Sequence, residues 1–509
     1  MKTRQIIRDF LQLSPENILL VKLAVVIAVH LMRFLVRRWS VRTLPGPFPW
    51  PIAGNAAQKG HAPHIYFTRM ARNYGDVFQI KLGNRQVVVL NGDAIRQALV
   101  IKGVDFAGRP DFASFRFVSG GRSMAFGSYS DWWKVHRRVA HATVRQFTTG
   151  NPDTKNTIEN HVVSEVKELI LQFLSETRTH GFFQPHKYLL VSMANIMSAL
   201  CFGKRYSYDD AFQEVVGRND KFTQTVGAGS IVDVMPWLQY FPNPEKTLFD
   251  QFKELNKEFY FFILTKVVEH RKTMEPSQVR DMTDALIMSL ERGLTGGSGV
   301  LLDEKYVPPT IGDIFGASQD TTSFAHQWII LLLVRYPDIQ KGLQEEVDKV
   351  VGRNRLPSIQ DQPHLPYVMA FIYEMMRFTS FIPVTIPHST TTDTSINGYP
   401  IPKGTVVFIN QWSLNHDPKK WDQPEIFNPL RFLDEPGELN KSKTGNVNIF
   451  SMGKRRCIGE ELSKIQLFLF TTLLTHQCHF TVRKQPTMDY MYGLTLKPNP
   501  FQIAVTLRD

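Results

Sequence analysis

The chain has 509 residues, a length that allows about three domains, but no long Ser/Gly/Pro linker or acidic run divides it, so one large domain with ample core is expected. Its three scattered cysteines, Cys201, Cys457 and Cys478, exclude a disulfide framework and point to a reducing compartment. A formal charge of +12 suits an anionic membrane surface or an acidic partner, and without a finger, basic zipper or aromatic-spaced basic motif no nucleic acid is expected.

Residues 18–36, ILLVKLAVVIAVHLMRFLV, are long enough for a bilayer span of ~20 residues, although Lys22, His30 and Arg33 interrupt them. An amphipathic helix on the membrane surface is the alternative, and either form attaches the chain to lipid. Cations precede the segment (Lys2, Arg4, Arg8) and follow it (Arg33, Arg37, Arg38, Arg42), so their count barely orients it. The cysteine usage favours a body facing the cytosol. Residues 1–43 are thus read as a membrane anchor with a basic linker. In LPGPFPWPIAGN, residues 44–55, four prolines impose a stiff, extended path. That stretch is read as a hinge, with an ordinary surface loop equally compatible with its composition, and the body follows over 56–509.

The body alternates two patterns. Residues 77–90 alternate apolar and polar about a Gly-Asn turn, and 396–410 and 493–507 read as further hairpins. Helical periodicity runs over 158–176, 187–202, 246–271, 311–335, 338–351, 365–379 and 458–476. The fold class is mainly α with small β-sheets. GLTGGSGV, 293–300, reads as a flexible loop before a helix that begins near Thr310.

The 311–335 helix is long enough to cross the domain, yet its middle holds Ser318, Gln319, Asp320, Thr321 and Thr322, which would be unfavourable in an inert core. Hydroxyls there can bond backbone carbonyls and open the helix locally. YEMMR sets Glu374 and Arg377 three apart on one helix face, able to pair and to meet Arg431 of NPLRF. WWKVHRR sets Trp133 and Arg137 four apart, two donors that together suit a carboxylate.

Cys201 and Cys478 read as small buried hydrophobes. Cys457 lies in FSMGKRRCIG, 450–459, directly before a helical pattern and behind Arg455 and Arg456, a setting that stabilises a thiolate. Zinc would need further ligands, and no second cysteine stands at C-x-x-C spacing. A nucleophile with a distant base stays open. Gly453 and Gly459, which let backbone approach something large and flat, and Phe450, able to screen one side of it, argue for haem.

FSMGKRRCIG resembles, at every fixed position, the haem-binding signature Phe-x-x-Gly-x-Arg-x-Cys-x-Gly of the cytochrome P-450 monooxygenases. The resemblance runs from the proline stretch to the last predicted hairpin. It implies a single haem domain with haem b held by Cys457 as axial ligand and cradled by Phe450, Gly453 and Gly459. It further implies Trp133, Arg137, Arg109, His388 and Arg455 as propionate partners, and a structural Glu374, Arg377, Arg431 triad. Asp320 and Thr321 match the family's proton relay for activating O2, while Ser318 stands where glycine is usual. Electrons from NADPH through an acidic flavoprotein reductase, an endoplasmic reticulum membrane and lipophilic substrates are implied too. The alternatives are a peroxide-driven isomerase, whose members commonly lack the threonine, and a non-catalytic haem-thiolate sensor. Segments such as SFRFVSGGRSMAFGSYSDWWKVHRR are most similar to vertebrate family 1, subfamilies B and C. That similarity implies planar aromatic substrates: polycyclic hydrocarbons, alkoxyresorufin-type ethers and, as a further class, steroids. The matching contact positions are Ala125, Phe126, Asn219, Phe222, Phe259, Asp313, Ala317, Asp320, Ile382, Ile386 and Leu494.

Overall fold

The computed structural model describes residues 15–40, 44–149 except 52 and 61, 152–208, 217, 231–275, 278–291, 302–435 and 437–508. Among them, eleven helices of ten residues or more are α1 Pro15–Ser40, α2 Pro63–Tyr74, α3 Asp131–Gln146, α4 Pro152–His180, α5 His186–Phe202, α6 Pro244–Thr273, α7 Met282–Glu291, α8 Val307–Arg335, α9 Pro337–Val351, α10 Pro366–Thr379 and α11 Glu460–Gln477. Local chemistry sets several ends. Ser130 caps α3 by accepting the Trp133 amide, Asn243 caps α6 by accepting that of Lys246, and Gly203 closes α5 in the left-handed conformation. Pro308 and Pro309 sit in the first turn of α8, where proline costs no helical hydrogen bond, so that helix starts three residues before Thr310.

α8 is the axis of the core. At ~1.5 Å per residue it is about 43 Å long, and α5, α6, α10 and α11 pack around it. Trp328, 2% exposed, fills the junction and donates its indole hydrogen to the Leu496 carbonyl at 2.8 Å. The polar island does not open α8, which is helical throughout; its hydroxyls bond carbonyls one turn back without breaking the ladder.

The main sheet has strand order β1-β2-β6-β3, from β1 Val77–Leu82, β2 Arg85–Leu90, β3 His388–Ser389 and β6 Val406–Ile409. β1 and β2 form the expected hairpin, β2 runs parallel to β6 with Val87 opposite Val406, and β3 pairs antiparallel with β6. The other two predicted hairpins divide differently. β4 Thr394–Ile396 pairs with β5 Tyr399–Ile401 about Asn397 and Gly398, while β6 joins the main sheet. β9 Leu496–Pro498 pairs back to β8 Tyr490–Tyr492, and β10 Ala504–Leu507 pairs with β7 Cys478–Thr481. Apolar alternation marked strands in both regions but carried no information about partners.

The 44–55 stretch is tied to β1: Leu44 is buried, the Gln79 amide donates to the Pro45 carbonyl at 2.8 Å, and Gly54 bridges to Leu82. α1 shows Leu19, Leu20, Leu23, Val25, Val26 and Met32 exposed. No helix among the described residues is long and apolar enough to cross a membrane.

Candidate active site

A cavity of about 370 Å³ opens between α8, the segment 118–126, α6 and the strand β3. Its lining is mostly apolar and includes Ala125, Phe126, Phe259, Ala317, Ile382, Ile386 and Leu494. Asp313, Asp320 and Thr321 reach it from α8, and Phe450, Cys457 and Gly459 from the opposite loop. Asn219 and Phe222 lie outside the described residues.

One wall is cationic. Arg109, Arg137, His388 and Arg455 all line the cavity, and none of the three arginines has a carboxylate ion pair among the described residues. Backbone carbonyls hold them instead. Arg109 donates to Ala125, Ile386 and Pro387 at 2.9–3.0 Å, and Arg455 to Ala107, Met124 and Gly127 at 2.8–3.2 Å. Arg137 donates to the Arg456 carbonyl. Burial, then the mutual repulsion of these cations, pushes Arg109 down to about 9 and Arg455 to about 7. His388 gives its Nδ1 hydrogen to the Phe106 carbonyl at 2.7 Å, and burial beside Arg109 keeps the ring neutral. Trp133 departs from expectation: its indole donates to the Met124 carbonyl at 2.8 Å, and its face carries the Arg455 guanidinium 4.0 Å from the ring centre.

The Cys457 side chain is open to the cavity. Its amide donates to the Phe450 carbonyl at 2.9 Å, and α11 begins three residues later behind Gly459. Desolvation pushes the thiol above its ordinary range; the Gly459 amide opposes this, Glu460 adds to it, and Arg137 and Arg456 oppose it. The cations beside the sulfur are Arg137 and Arg456, the latter engaged with Glu460 at 2.6 Å, whereas Arg455 turns away to the Ala107 carbonyl. Gly453 is not on the cavity. Its φ of +72° lets the loop press on the Leu99 carbonyl, so this glycine serves a backbone contact and not a flat ligand.

On α8, Thr321 Oγ1 donates to the Ala317 carbonyl at 2.8 Å and Thr322 Oγ1 to the Ser318 carbonyl at 2.6 Å. Asp320 is 2% exposed, and the Ala317 side chain faces the cavity. Asp313 accepts hydrogen bonds from Ser119, Ser123, Met124 and Ala125. Burial raises its pKa despite those four donors. Glu374, Arg377 and Arg431 form a triad away from the cavity, with Glu374 and Arg377 fully buried. Sequence reasoning missed Ser119, Phe262, Phe381 and Thr385 around the cavity, and Ser123, which bonds Asp313. The glycine pair at 120 and 121 signals a turn there, but nothing local signals a partner almost two hundred residues away.

Residues 44–505 match the family Cytochrome P-450. The chain is 56% identical to cytochrome P-450 1B1 of Homo sapiens over 505 residues, covering 97% of this chain and 93% of that protein. It is 43% identical to cytochrome P-450 1A1 of Cavia porcellus, with 90% of each chain covered. A solved zebra fish cytochrome P-450 structure with progesterone superposes with a TM-score of 0.77 at 32% identity, covering 88% of this chain and 99% of that one. The chain belongs to the cytochrome P-450 family. Within it, the similarity is to vertebrate family 1, and the enzyme is a haem-dependent monooxygenase that uses O2.

Proposed function

We propose that this monooxygenase inserts one atom of O2 into planar aromatic and other lipophilic molecules: polycyclic hydrocarbons, alkoxyresorufin-type ethers and steroids. Electrons come from NADPH through a flavoprotein reductase, and the enzyme sits on the endoplasmic reticulum membrane with its body in the cytosol. The observation that carries the reading is one cavity with the Cys457 thiol on one side, three arginines with no carboxylate partner among the described residues on a second, and a mostly apolar lining on a third.

Haem b matches those features chemically. Cys457 would ligate its iron as the thiolate, the thiol proton being lost on coordination despite the burial, and the cationic wall would hold its two propionates. Carbonyls use at most three of the five N–H groups of Arg109 and of Arg455, so each keeps donors for a carboxylate. Arg137 and His388 complete that wall, Trp133 supports Arg455 from beneath, and Phe450 and Gly459 border the thiol. Bound there, haem supplies a redox-active iron whose thiolate ligand favours O–O cleavage.

The chain's own residues handle protons and substrate. Thr321 gives its hydroxyl hydrogen to Ala317 and keeps its oxygen free to accept; turned from Ala317, the hydroxyl would donate its proton to the reacting oxygen while taking one from a water, so one proton enters as one leaves. Asp320 is the acid beside it. Phe126 and Phe259 offer faces and edges to a flat ring, with Ala125, Ala317, Ile382, Ile386 and Leu494 closing the rest. The exposed apolar side chains of α1 support attachment to lipid. Lys454, beside the cysteine loop, belongs to the face offered to an acidic reductase.

The test combines spectrum and product. Reduced enzyme with carbon monoxide is expected to show the red-shifted Soret band of thiolate ligation, and reductase with NADPH to yield oxidised pyrene. Retention of that band in Cys457→Ala refutes the ligand assignment, and a panel in which flat aromatics are never oxidised refutes the substrate class.

A further inference from the structure

The Asp313 carboxylate receives four hydrogen bonds from one segment: Ser119 Oγ at 2.6 Å, Ser123 Oγ at 3.0 Å, and the amides of Met124 at 2.5 Å and Ala125 at 3.2 Å. Three of them fall on Oδ2 and one on Oδ1, so of the carboxylate's roughly four lone-pair sites Oδ2 is fully taken up by the segment and at most one site on Oδ1 stays open. The segment so gripped is strained. Ser119, Gly120 and Gly121 are successive left-handed residues, at φ 51°, 61° and 77°, and serine adopts that region only under constraint.

The opposite side of the same peptides is gripped as well. The Met124 carbonyl accepts from Trp133 and Arg455, that of Ala125 from Arg109, and that of Gly127 from Arg455. The segment therefore bridges α8 and the cationic wall, and Val118, Met124 and Phe126 hang from it into the cavity.

We propose that Asp313 is a positioning residue for specificity: by latching residues 119–125 to α8 it sets the height of the cavity and so selects flat ligands. The inference rests on the substrate reading above and changes the part Asp313 plays in it, from a group that touches substrate to one that acts through the roof. Releasing the latch leaves the carbonyl side attached, so the roof loosens while the cationic wall persists.

The experiment uses haem-loaded enzyme and two variants, Asp313→Asn and the double variant Ser119→Ala, Ser123→Ala, which keeps the carboxylate. Hydrogen exchange at the Met124 and Ala125 amides should quicken about tenfold or more in Asp313→Asn, the scale of a lost local restraint. Binding of flat pyrene and thick adamantane, followed by the Soret shift without turnover, should show the adamantane-to-pyrene Kd ratio falling severalfold in both variants at full haem content. Unchanged exchange in Asp313→Asn overturns the inference, as does an unchanged Kd ratio in the serine variant. Weaker binding of 1-aminopyrene alone, confined to Asp313→Asn, also overturns it, since that is the signature of direct contact. A wild-type enzyme that binds both probes equally overturns it too, whereas the substrate reading is judged separately by turnover.

Discussion

Removing the Glu374 carboxylate should unfold the enzyme well before it alters the chemistry. Glu374 and Arg377 are both 0% exposed and joined by two bonds of 2.7 and 2.8 Å. The same carboxylate accepts from Arg431 at 3.1 Å and from the Asn428 amide at 2.8 Å. Glu374→Ala would leave two guanidiniums and one amide facing a void, and breaking a buried pair in this one-sided way costs about 3–5 kcal/mol. Arg377 and Arg431 keep their carbonyl partners at Asn415, Pro424, Asp422 and Ile426, which holds the cost inside that range and not above it. With an unfolding entropy of ~2.1 cal/mol/K per residue, a chain of 509 residues shifts by roughly 1 °C per kcal/mol. The apparent Tm should therefore fall by about 3–5 °C at fixed scan rate, with haem content falling alongside and with unchanged turnover per haem in the folded fraction. Glu374→Gln, which keeps one acceptor but not the charge, should fall between. A Tm within 1 °C of wild type for Glu374→Ala would refute the view that this triad holds the core.

Three other outcomes test separate parts of the molecule. Thr321→Ala should keep haem and substrate binding and nearly all NADPH consumption, while product per NADPH drops severalfold and peroxide rises; unchanged coupling moves the proton role to Thr322, which bonds the Ser318 carbonyl. His270 donates from both ring nitrogens, to the Lys266 carbonyl and to Asp281 at 2.8 Å each, as only imidazolium can. Burial opposes that charge, but Asp281 and the carbonyl prevail and raise the pKa above 6.5, so the stability it contributes is complete below that value and lost as pH rises through the folded one. His270→Gln should accordingly lower Tm more at pH 6 than at pH 9, and an equal loss at both would contradict this. Gly453→Ala should cost about 1–3 kcal/mol from its left-handed backbone alone, besides the collision with the Leu99 carbonyl, and a melt like wild type would contradict that backbone contact.

The sequence by itself determined seven of the helices, α4, α5, α6, α8, α9, α10 and α11, because apolar periodicity and caps act within a few residues, while α2 and α7 went unread; α5, α8 and α9 differ from their predicted spans by no more than four residues at either end. It also determined the family, because the spacing around Cys457 is local. The tertiary structure decided everything that depends on a partner far along the chain. The alternation in 493–507 could not say that β10 would pair with β7 and leave β9 to β8. Arg455 stands two residues from the cysteine, yet its guanidinium is drawn to carbonyls at Ala107 and Met124, and Arg137 approaches the sulfur instead. The glycine at 453 looked like room for a ligand and is room for Leu99. The resemblance puts Asp313 at the cavity, where it stands, but its own helix says nothing about Ser119 and Ser123, which donate to its carboxylate. Propensity and capping are energies of neighbours in sequence, whereas burial, desolvation and hydrogen-bond partnership are set by whichever groups the folded chain brings within a few ångströms, and those groups here are separated by up to several hundred residues.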